Sequence, residues 1–281
     1  MTRIQTFDTF QEFLTHNQDK ILGEYFPYYL FLQALKRLNQ EKISLFDSFN
    51  ILGKGGESIF CIWTEGTYYI FGDEWNSEMI ATAAEKINPS KFKNYTFLGR
   101  RQLIDSIFEA AKCPIDSRRD RIVYSCKNIL DIPETIGGIV ELGSSYYKDQ
   151  LIENGILYYH EEFEGKGSKS DEQIAEDVAH SIEKGNIYSL RIEDKIHSIV
   201  SVINYEYNRP FIGSLYTREE SRNKGYALKL LYEVTNGLLK NGSEECGLLS
   251  NADNPASNKV FNKLGYNPIY DLVLAFKEKR E

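Results

Sequence analysis

Arg222, Asn223, Lys224, Gly225, Tyr226 and Ala227 form the run best suited to chemistry in this chain. Two cations, an amide and a glycine stand just ahead of a stretch in which Ala227, Leu230, Leu231, Val234 and Leu238 recur at helical spacing. A helix start leaves backbone N–H groups unpaired, with the positive end of the helix dipole behind them. Its natural guest is an anion such as a phosphate or diphosphate. Gly225 suits the position because a side chain there would hold the anion away from the amides. The run fits neither the P-loop pattern, Gly-x-x-x-x-Gly-Lys-Ser/Thr, nor the dinucleotide turn, Gly-x-Gly-x-x-Gly. The plain alternative is an ordinary strand-to-helix turn, with Arg222 and Lys224 as solvated charges.

The elements around this run are legible. Phe211 to Thr217 is short and rich in β-branched and aromatic residues, which predicts a strand running into the polar turn. Beyond the helix, Asn241-Gly242 reads as a C-cap and Cys246 to Ser250 as a strand. Asn254-Pro255-Ala256-Ser257-Asn258 then opens a second helix, with Pro255 in its first turn and Asn254 suited to the cap. That helix carries Val260, Phe261 and Leu264 and stops at Gly265.

Arg222-x-x-Gly225-x-Ala227 resembles the Arg/Gln-x-x-Gly-x-Gly/Ala coenzyme A signature of the GNAT superfamily of N-acetyltransferases. Asn254 to Tyr266 is similar to the second signature, Asn-x-x-Ala/Ser followed by an aromatic and Lys-Leu-Gly-Phe/Tyr. Both stand in the family's order and spacing. The resemblance covers roughly residues 133–281 and is closest to a bacterial two-domain branch. In that branch the strand runs into Tyr-Thr-Pro-Pro-Glu-Tyr-Arg; here Tyr216 to Arg222 keeps the length and loses both prolines.

The resemblance implies acetyl-coenzyme A as co-substrate, the amine of a small molecule or peptide as acceptor, and direct attack of that amine on the thioester. It implies that two neighbouring strands splay and that the coenzyme lies in the wedge. Leu215, Tyr216 and Thr217 would offer backbone groups to the pantetheine arm, and Arg222, Asn223, Lys224, Gly225, Tyr226 and Ala227 would hold the diphosphate. Asn254 and Ser257 would lie on the pantetheine side, with position 261 beside the sulfur. The family usually has tyrosine there, and Phe261 has no proton to give. Tyr266, Tyr270 and Tyr216 are hydroxyls nearby in sequence, and solvent is another proton source. For the base, alternation from Asn204 puts Glu206 on one face of its strand. Glu161 and Glu162 fall in the segment that walls the acceptor pocket in this family. Cys246, alone in a strand, reads as core. Phe261 keeps open a second function, that of a coenzyme-binding regulator or catalytically weak relative. A transferase using an aminoacyl-tRNA donor is a third, suggested by a possible internal duplication and opposed by the acidic charge.

A chain of 281 residues has room for two modest domains, and its net charge of −8 argues against nucleic acid as the main partner. Cys61, Cys113, Cys126 and Cys246 show no paired or metal-like spacing, and with four scattered histidines no metal is expected. The polar start Met-Thr-Arg-Ile-Gln-Thr and the lack of a long apolar run predict a cytoplasmic protein without membrane attachment. Oligomeric state is open at this level.

In the first half, residues 8–40 read as helices, and Ser58–Thr64 with Thr67–Gly72 as a hairpin turning at Glu65-Gly66. Gly53 to Gly56 reads as a loop between helix and strand. A helix over Ser77 to Lys86, a strand over Tyr95 to Leu98, a helix over Arg101 to Ala111 and a strand over Arg121 to Tyr124 follow. Lys127 to Thr135 is the expected boundary, giving domains 1–131 and 132–281. The first is a mixed α/β domain, either of its own kind or a degenerate GNAT-like copy. In the second, a helix from Ser145 continues past Gly155 to Phe163, and another is capped by Ser170 or Asp171. Strands over Ile187 to Ile192 and Ile196 to Tyr207 precede the two signatures, and Pro268 to Phe276 supplies the last strand. The fold class expected is α+β (mixed α/β), with the GNAT N-acyltransferase fold in the second half.

Overall fold

The expected hairpin at Glu65-Gly66 is present in the computed structural model, which describes residues 2–133, 135–165, 167–204 and 206–278, apart from the side chains of Asn204 and Glu206. The chain folds as two compact units. One comprises residues 1–123, 250–253 and 268–281, and the other residues 124–249 and 254–267.

The first half runs β1 (Arg3–Thr6), α1 (Phe10–Gly23), α2 (Tyr29–Asn39), β2 (Leu45–Leu52), β3 (Ser58–Thr64), β4 (Thr67–Gly72), α3 (Ser77–Ile87), β5 (Tyr95–Arg100), α4 (Arg101–Ala110) and β6 (Ser117–Cys126). The second runs β7 (Ile139–Leu142), α5 (Lys148–Glu162), α6 (Asp171–Glu183), β8 (Ile187–Ile192), β9 (Lys195–Asn204), β10 (Phe211–Thr217), α7 (Tyr226–Lys240), β11 (Cys246–Asn251), α8 (Pro255–Lys263) and β12 (Asn267–Lys277). Each half is a strand, two helices, three strands, a helix, a strand, a helix and a strand.

In the first unit the strand order is β1-β2-β3-β4-β5-β12-β6. Alternation divides its core. Ile59, Cys61, Ile70 and Phe97 pack with Met79, Ala83, Ile104 and Ile107 of α3 and α4, together with Val273 and Ala275 of β12. The intervening rings, Phe60, Tyr69 and Phe71, meet Tyr28 and Phe31 on the α1–α2 side. This is the period of two that puts neighbouring strand residues on opposite faces. The strand β2 corrects the sequence reading, for Gly53 to Gly56 join two strands and not a helix to a strand. Polar Ser48 and Asn50 hid that strand, yet both are buried. Asn50 is tolerated there because it exchanges side-chain hydrogen bonds with Asn17 of α1, at 2.7 and 3.3 Å.

The single cut expected between residues 131 and 132 does not describe this division. β12, the last strand of the chain, pairs antiparallel with β5 from Leu272 opposite Arg100 to Lys277 opposite Tyr95. It therefore belongs with the first unit.

In the second unit the order is β11-β10-β9-β8-β7. Helix α5 packs against β9 and β10, and α7 against β8, β9 and β10. Leu151, Ile187, Ile196, Ile199 and Tyr216 are buried together, and α7 buries Leu230, Leu231, Val234 and Leu238. Ser170 caps α6 with a full capping box closed by Gln173. β9 stops at Asn204, earlier than the expected Tyr207. Tyr205 lies outside the described residues. Glu206–Asn208 form a short 3-10 turn in which Tyr207 has φ 57°.

Among the described residues no helix is long and apolar enough to cross a membrane, and no three His, Cys, Asp or Glu side chains gather as a metal site requires.

Candidate functional site

β10 and β11 are parallel neighbours joined at one end only. Phe211 stands opposite Gly247 and Ile212 opposite Leu248, and no further pair follows, although β10 runs on to Thr217 and β11 to Asn251. On its other edge β10 carries a bulge. The register with β9 passes from Gly213 opposite Ser201 to Tyr216 opposite Ile199, so three steps on β10 match two on β9. Ser214 takes the positive φ, 53°, that this requires. The far half of β10 is thus parted from β11 and locally re-aimed. The Tyr216 carbonyl accepts from the Ser198 hydroxyl at 2.7 Å, and the Thr217 carbonyl from Arg222 Nε at 3.1 Å.

β10 leads through a short 3-10 turn, Glu219–Ser221, to Gly225, the N-cap of α7. Gly225 has φ 83° and no capping side chain. A β-carbon on it would come within 2.9 Å of the Ile136 side chain, so Ile136 covers that side of the glycine. Asn223 is also left-handed, with φ 64°. Tyr226 and Ala227 begin the helix behind it.

Around this turn the cations are paired. Arg222 bridges Glu161 of α5 at 2.5 Å and lies 5.7 Å from the centre of the Tyr216 ring. Lys224 donates to the Glu220 carbonyl at 3.0 Å, Lys195 pairs with Glu220 at 2.9 Å, and Arg218 pairs with Glu153. His197 of β9 shares a 2.7 Å hydrogen bond with Ser221, and its ring centre lies 5.4 Å from that of Tyr226. Burial, with the Lys195 and Lys224 charges, holds the imidazole below its ordinary pKa. Burial, then the Glu161 charge, pushes the Tyr216 hydroxyl up.

At α8, the Asn254 side-chain oxygen accepts from Ser257 N–H at 3.1 Å, so Asn254 is the N-cap. Phe261 is buried, its ring centre 5.6 Å from that of Tyr124 and 6.3 Å from that of Tyr266. The Tyr124 hydroxyl meets Asn258 at 3.4 Å. The Tyr266 hydroxyl is buried and shares a 2.8 Å hydrogen bond with Thr235 of α7, and its pKa is driven far up by desolvation. Glu162 ends α5. Glu206 stands past the end of β9, so the strand alternation that put it on one face with Asn204 does not apply; its side chain lies outside the described residues. Burial pushes the Cys246 thiol up to about 12, which suits a core residue and not a nucleophile.

The fold thus gathers Tyr216, Thr217, Arg222, Lys224 and Gly225 at the mouth of the parted strands. Sequence reading missed His197, Ser221, Arg218 and Ile136. His197 and Arg218 are neighbours only through strand pairing, in which Arg218 N–H donates to the His197 carbonyl at 3.0 Å. No local pattern in the sequence encodes that contact.

Residues 193–273 match the family model described as FR47-like protein. No curated protein matches the chain. Among solved structures it is similar to an acetyltransferase from the GNAT family of Colwellia psychrerythraea, at 11% identity and TM-score 0.60 over 98% of this chain and 100% of that one. It is also similar to a GCN5-related N-acetyltransferase from Sphaerobacter thermophilus, at 16% identity and TM-score 0.56 over 83% and 81%. A third, a GCN5-related N-acetyltransferase from Kribbella flavida, aligns at 11% identity and TM-score 0.51 over 79% and 87%. The chain is therefore a two-unit protein of the GNAT acetyltransferase fold, with the FR47-like sequence pattern in its C-terminal half.

Proposed function

We propose that the C-terminal half binds acetyl-coenzyme A and transfers its acetyl group to the amine of a small molecule or peptide. The observation that carries this reading is the parting of β10 from β11 beside a helix start capped by a bare glycine. The fit to the coenzyme is chemical. The first-turn amides of α7 and the cations Arg222 and Lys224 suit a diphosphate, while the side of Gly225 where a β-carbon would stand is taken by Ile136 and not by the anion.

Acetyl-coenzyme A supplies a thioester that a neutral amine attacks directly, releasing the thiol. Asn223, Lys224, Gly225, Tyr226 and Ala227 hold the diphosphate, chiefly through main-chain N–H groups. Leu215, Tyr216 and Thr217 offer backbone groups along the part of β10 not laddered to β11, and we assign an N–H near Leu215 to the thioester carbonyl. A preorganised donor of that kind contributes on the order of 3 kcal/mol to a developing oxyanion. Asn254, though it caps α8, keeps its amide N–H groups for the pantetheine side, with Ser257 beside it. Glu162 and Glu206 are the carboxylates we assign to drawing a proton from the amine. The Tyr266 hydroxyl is the weaker candidate for giving one to the thiol, since Thr235 already engages it.

Phe261 favours a second reading, a coenzyme-binding protein that barely turns over. The two are separated by thermal shift with acetyl-coenzyme A and by thiol release over a broad amine panel. At a hundred times its Kd the coenzyme adds about 2.7 kcal/mol of stability. Stabilisation with turnover supports the transferase. Stabilisation without turnover supports the second reading, and then Phe261→Tyr raises any residual rate by about tenfold or more. Neither stabilisation nor turnover removes both.

A further inference from the structure

The Arg222–Glu161 pair joins two elements that belong to different tasks. Arg222 sits in the turn that leads to the Gly225 helix start, and Glu161 in the last turn of α5. A carboxylate at a helix C-terminus faces the negative end of the dipole, so Glu161 is disfavoured there unless a cation answers it. Arg222 answers it at 2.5 Å, while its Nε is held by the Thr217 carbonyl and its Cζ lies 5.7 Å from the centre of the Tyr216 ring. Both side chains are accessible, 39% for Arg222 and 55% for Glu161, so the pair can open without disturbing the core.

An anion at the start of α7 competes with Glu161 for the same guanidinium. When Arg222 turns to the anion, Glu161 is left as an unanswered carboxylate beside the mouth of the parted strands. We propose that Glu161 recognises the positive charge of the acceptor, and that the donor and acceptor sites are coupled because each ligand replaces one partner of the Arg222–Glu161 pair. The first ligand to bind opens the pair, and the second meets its partner already released. The acceptor class this selects is a cationic amine carrying an ammonium close to the reacting nitrogen. The coupling depends on coenzyme binding at Gly225, as proposed above. Its size is that of an exposed ion pair, so the expected change is a few-fold in Kd and weakens with salt.

The experiment is calorimetric titration of coenzyme A into the full-length wild type, Glu161→Gln and Glu162→Gln at low ionic strength, with and without millimolar 1,4-diaminobutane. Glu161 is exposed, so its glutamine variant keeps the fold, which circular dichroism checks. Glu161→Gln is expected to tighten coenzyme A about threefold, because Arg222 is no longer claimed by a carboxylate. Glu162→Gln, which removes the same charge one residue along the helix, is expected to change it less. The diamine is expected to tighten coenzyme A in the wild type and leave Glu161→Gln unmoved, which also controls for pairing of diamine with coenzyme in solution. Equal coenzyme affinity in wild type and Glu161→Gln, an equal gain in both glutamine variants, or a diamine effect of the same size in wild type and Glu161→Gln overturns the role of Glu161 and leaves the coenzyme site standing. Failure of coenzyme A to bind the wild type at all overturns the coenzyme site and the coupling together.

Discussion

β4 and β10 hold the same place in their halves, each the last of three antiparallel strands and each followed by a helix and a parallel neighbour. β4 runs in register with β5 from Thr67 opposite Thr96 to Ile70 opposite Gly99, whereas β10 meets β11 at two positions and then leaves it. β3 and β4 pair without a break, while β9 and β10 carry the Ser214 bulge. The helices begin differently too. The Asn76 side chain caps α3 by accepting from Met79 N–H at 3.0 Å, and Asp73 and Glu74 precede it. Gly225 opens α7 behind Arg222 and Lys224. One element order therefore yields the parted strands we propose as an anion site only where three local choices agree: a bulge, a missing ladder, and a helix start capped by glycine among cations. In the first half all three are reversed. Its turn is satisfied internally, with Tyr28 donating to Asp73 at 3.1 Å and Arg100 to the Asp73 carbonyl at 2.8 Å.

The largest effect is expected where the first half is closed. A β-carbon on Gly99 would lie 1.7 Å from the Ile70 carbonyl oxygen, inside the ladder that joins β4 to β5. Backbone must move to admit it, so Gly99→Ala should cost about 3 kcal/mol or more, read as a shift of the urea midpoint. A near-neutral result would mean that this ladder is looser than its register indicates, and the contrast with β10–β11 would lose its first term.

Gly225→Val is the matching change in the second half, and its expected effect is on binding. A β-branched residue at φ 83° is strained and its side chain meets Ile136. The displaced turn loses charge-assisted hydrogen bonds to the diphosphate. Each is worth roughly 1.5–3 kcal/mol, so coenzyme A affinity should fall by about tenfold or more in calorimetric titration. Unchanged affinity would place the anion elsewhere.

The contrast between the halves was legible in the sequence at the helix starts and not between the strands. Arg222 to Ala227 and Asn254 to Tyr266 are local patterns, and local patterns survive reading along one dimension. Asn254 shows the limit of that reading, since the same residue type serves a cap and a ligand, and the cap is what the 3.1 Å contact to Ser257 records. The parting of β10 from β11 is a relation between residues more than thirty apart, and nothing in Phe211 to Thr217 announces it. Strand β2 was hidden by the polar residues Ser48 and Asn50, and the burial of Asn50 makes sense only once Asn17 is across from it. Tyr266 looked available as a proton donor because sequence proximity to Phe261 says nothing of Thr235.

A smaller effect tests whether the first half is closed by its own side chains. Arg100 lies 5.3 Å from the ring centres of both Trp75 and Tyr270 and donates to the Asp73 carbonyl, filling the turn with a cation of its own. Arg100→Ala should cost about 1–2 kcal/mol in urea titration. The coenzyme stoichiometry should stay at one per chain, because α3 remains capped and β4 remains paired. A second equivalent of coenzyme A bound by this variant would show that Arg100 alone keeps a second site shut.

The smallest expected effect is a pH dependence that belongs to the second half. His197, beside Ser221 and Tyr226, is held below the ordinary histidine pKa by burial and by Lys195 and Lys224. The unfolded chain then takes up a proton at a higher pH than the folded one. Stability tied to this group is complete above the unfolded pKa of about 6.5 and falls as the pH drops from there toward the folded value. An anion at the start of α7 acts in the opposite sense, since it favours the imidazolium, so coenzyme A should bind more tightly as the pH falls through the same window. Stability and affinity should therefore move in opposite directions between about pH 7.5 and 5.5. His197→Gln should flatten both by a factor of a few, measured by urea midpoint and by calorimetric titration at each pH. Parallel trends, or trends that persist in the glutamine variant, would separate His197 from the anion and leave its recognition to charges such as Arg222 and Lys224.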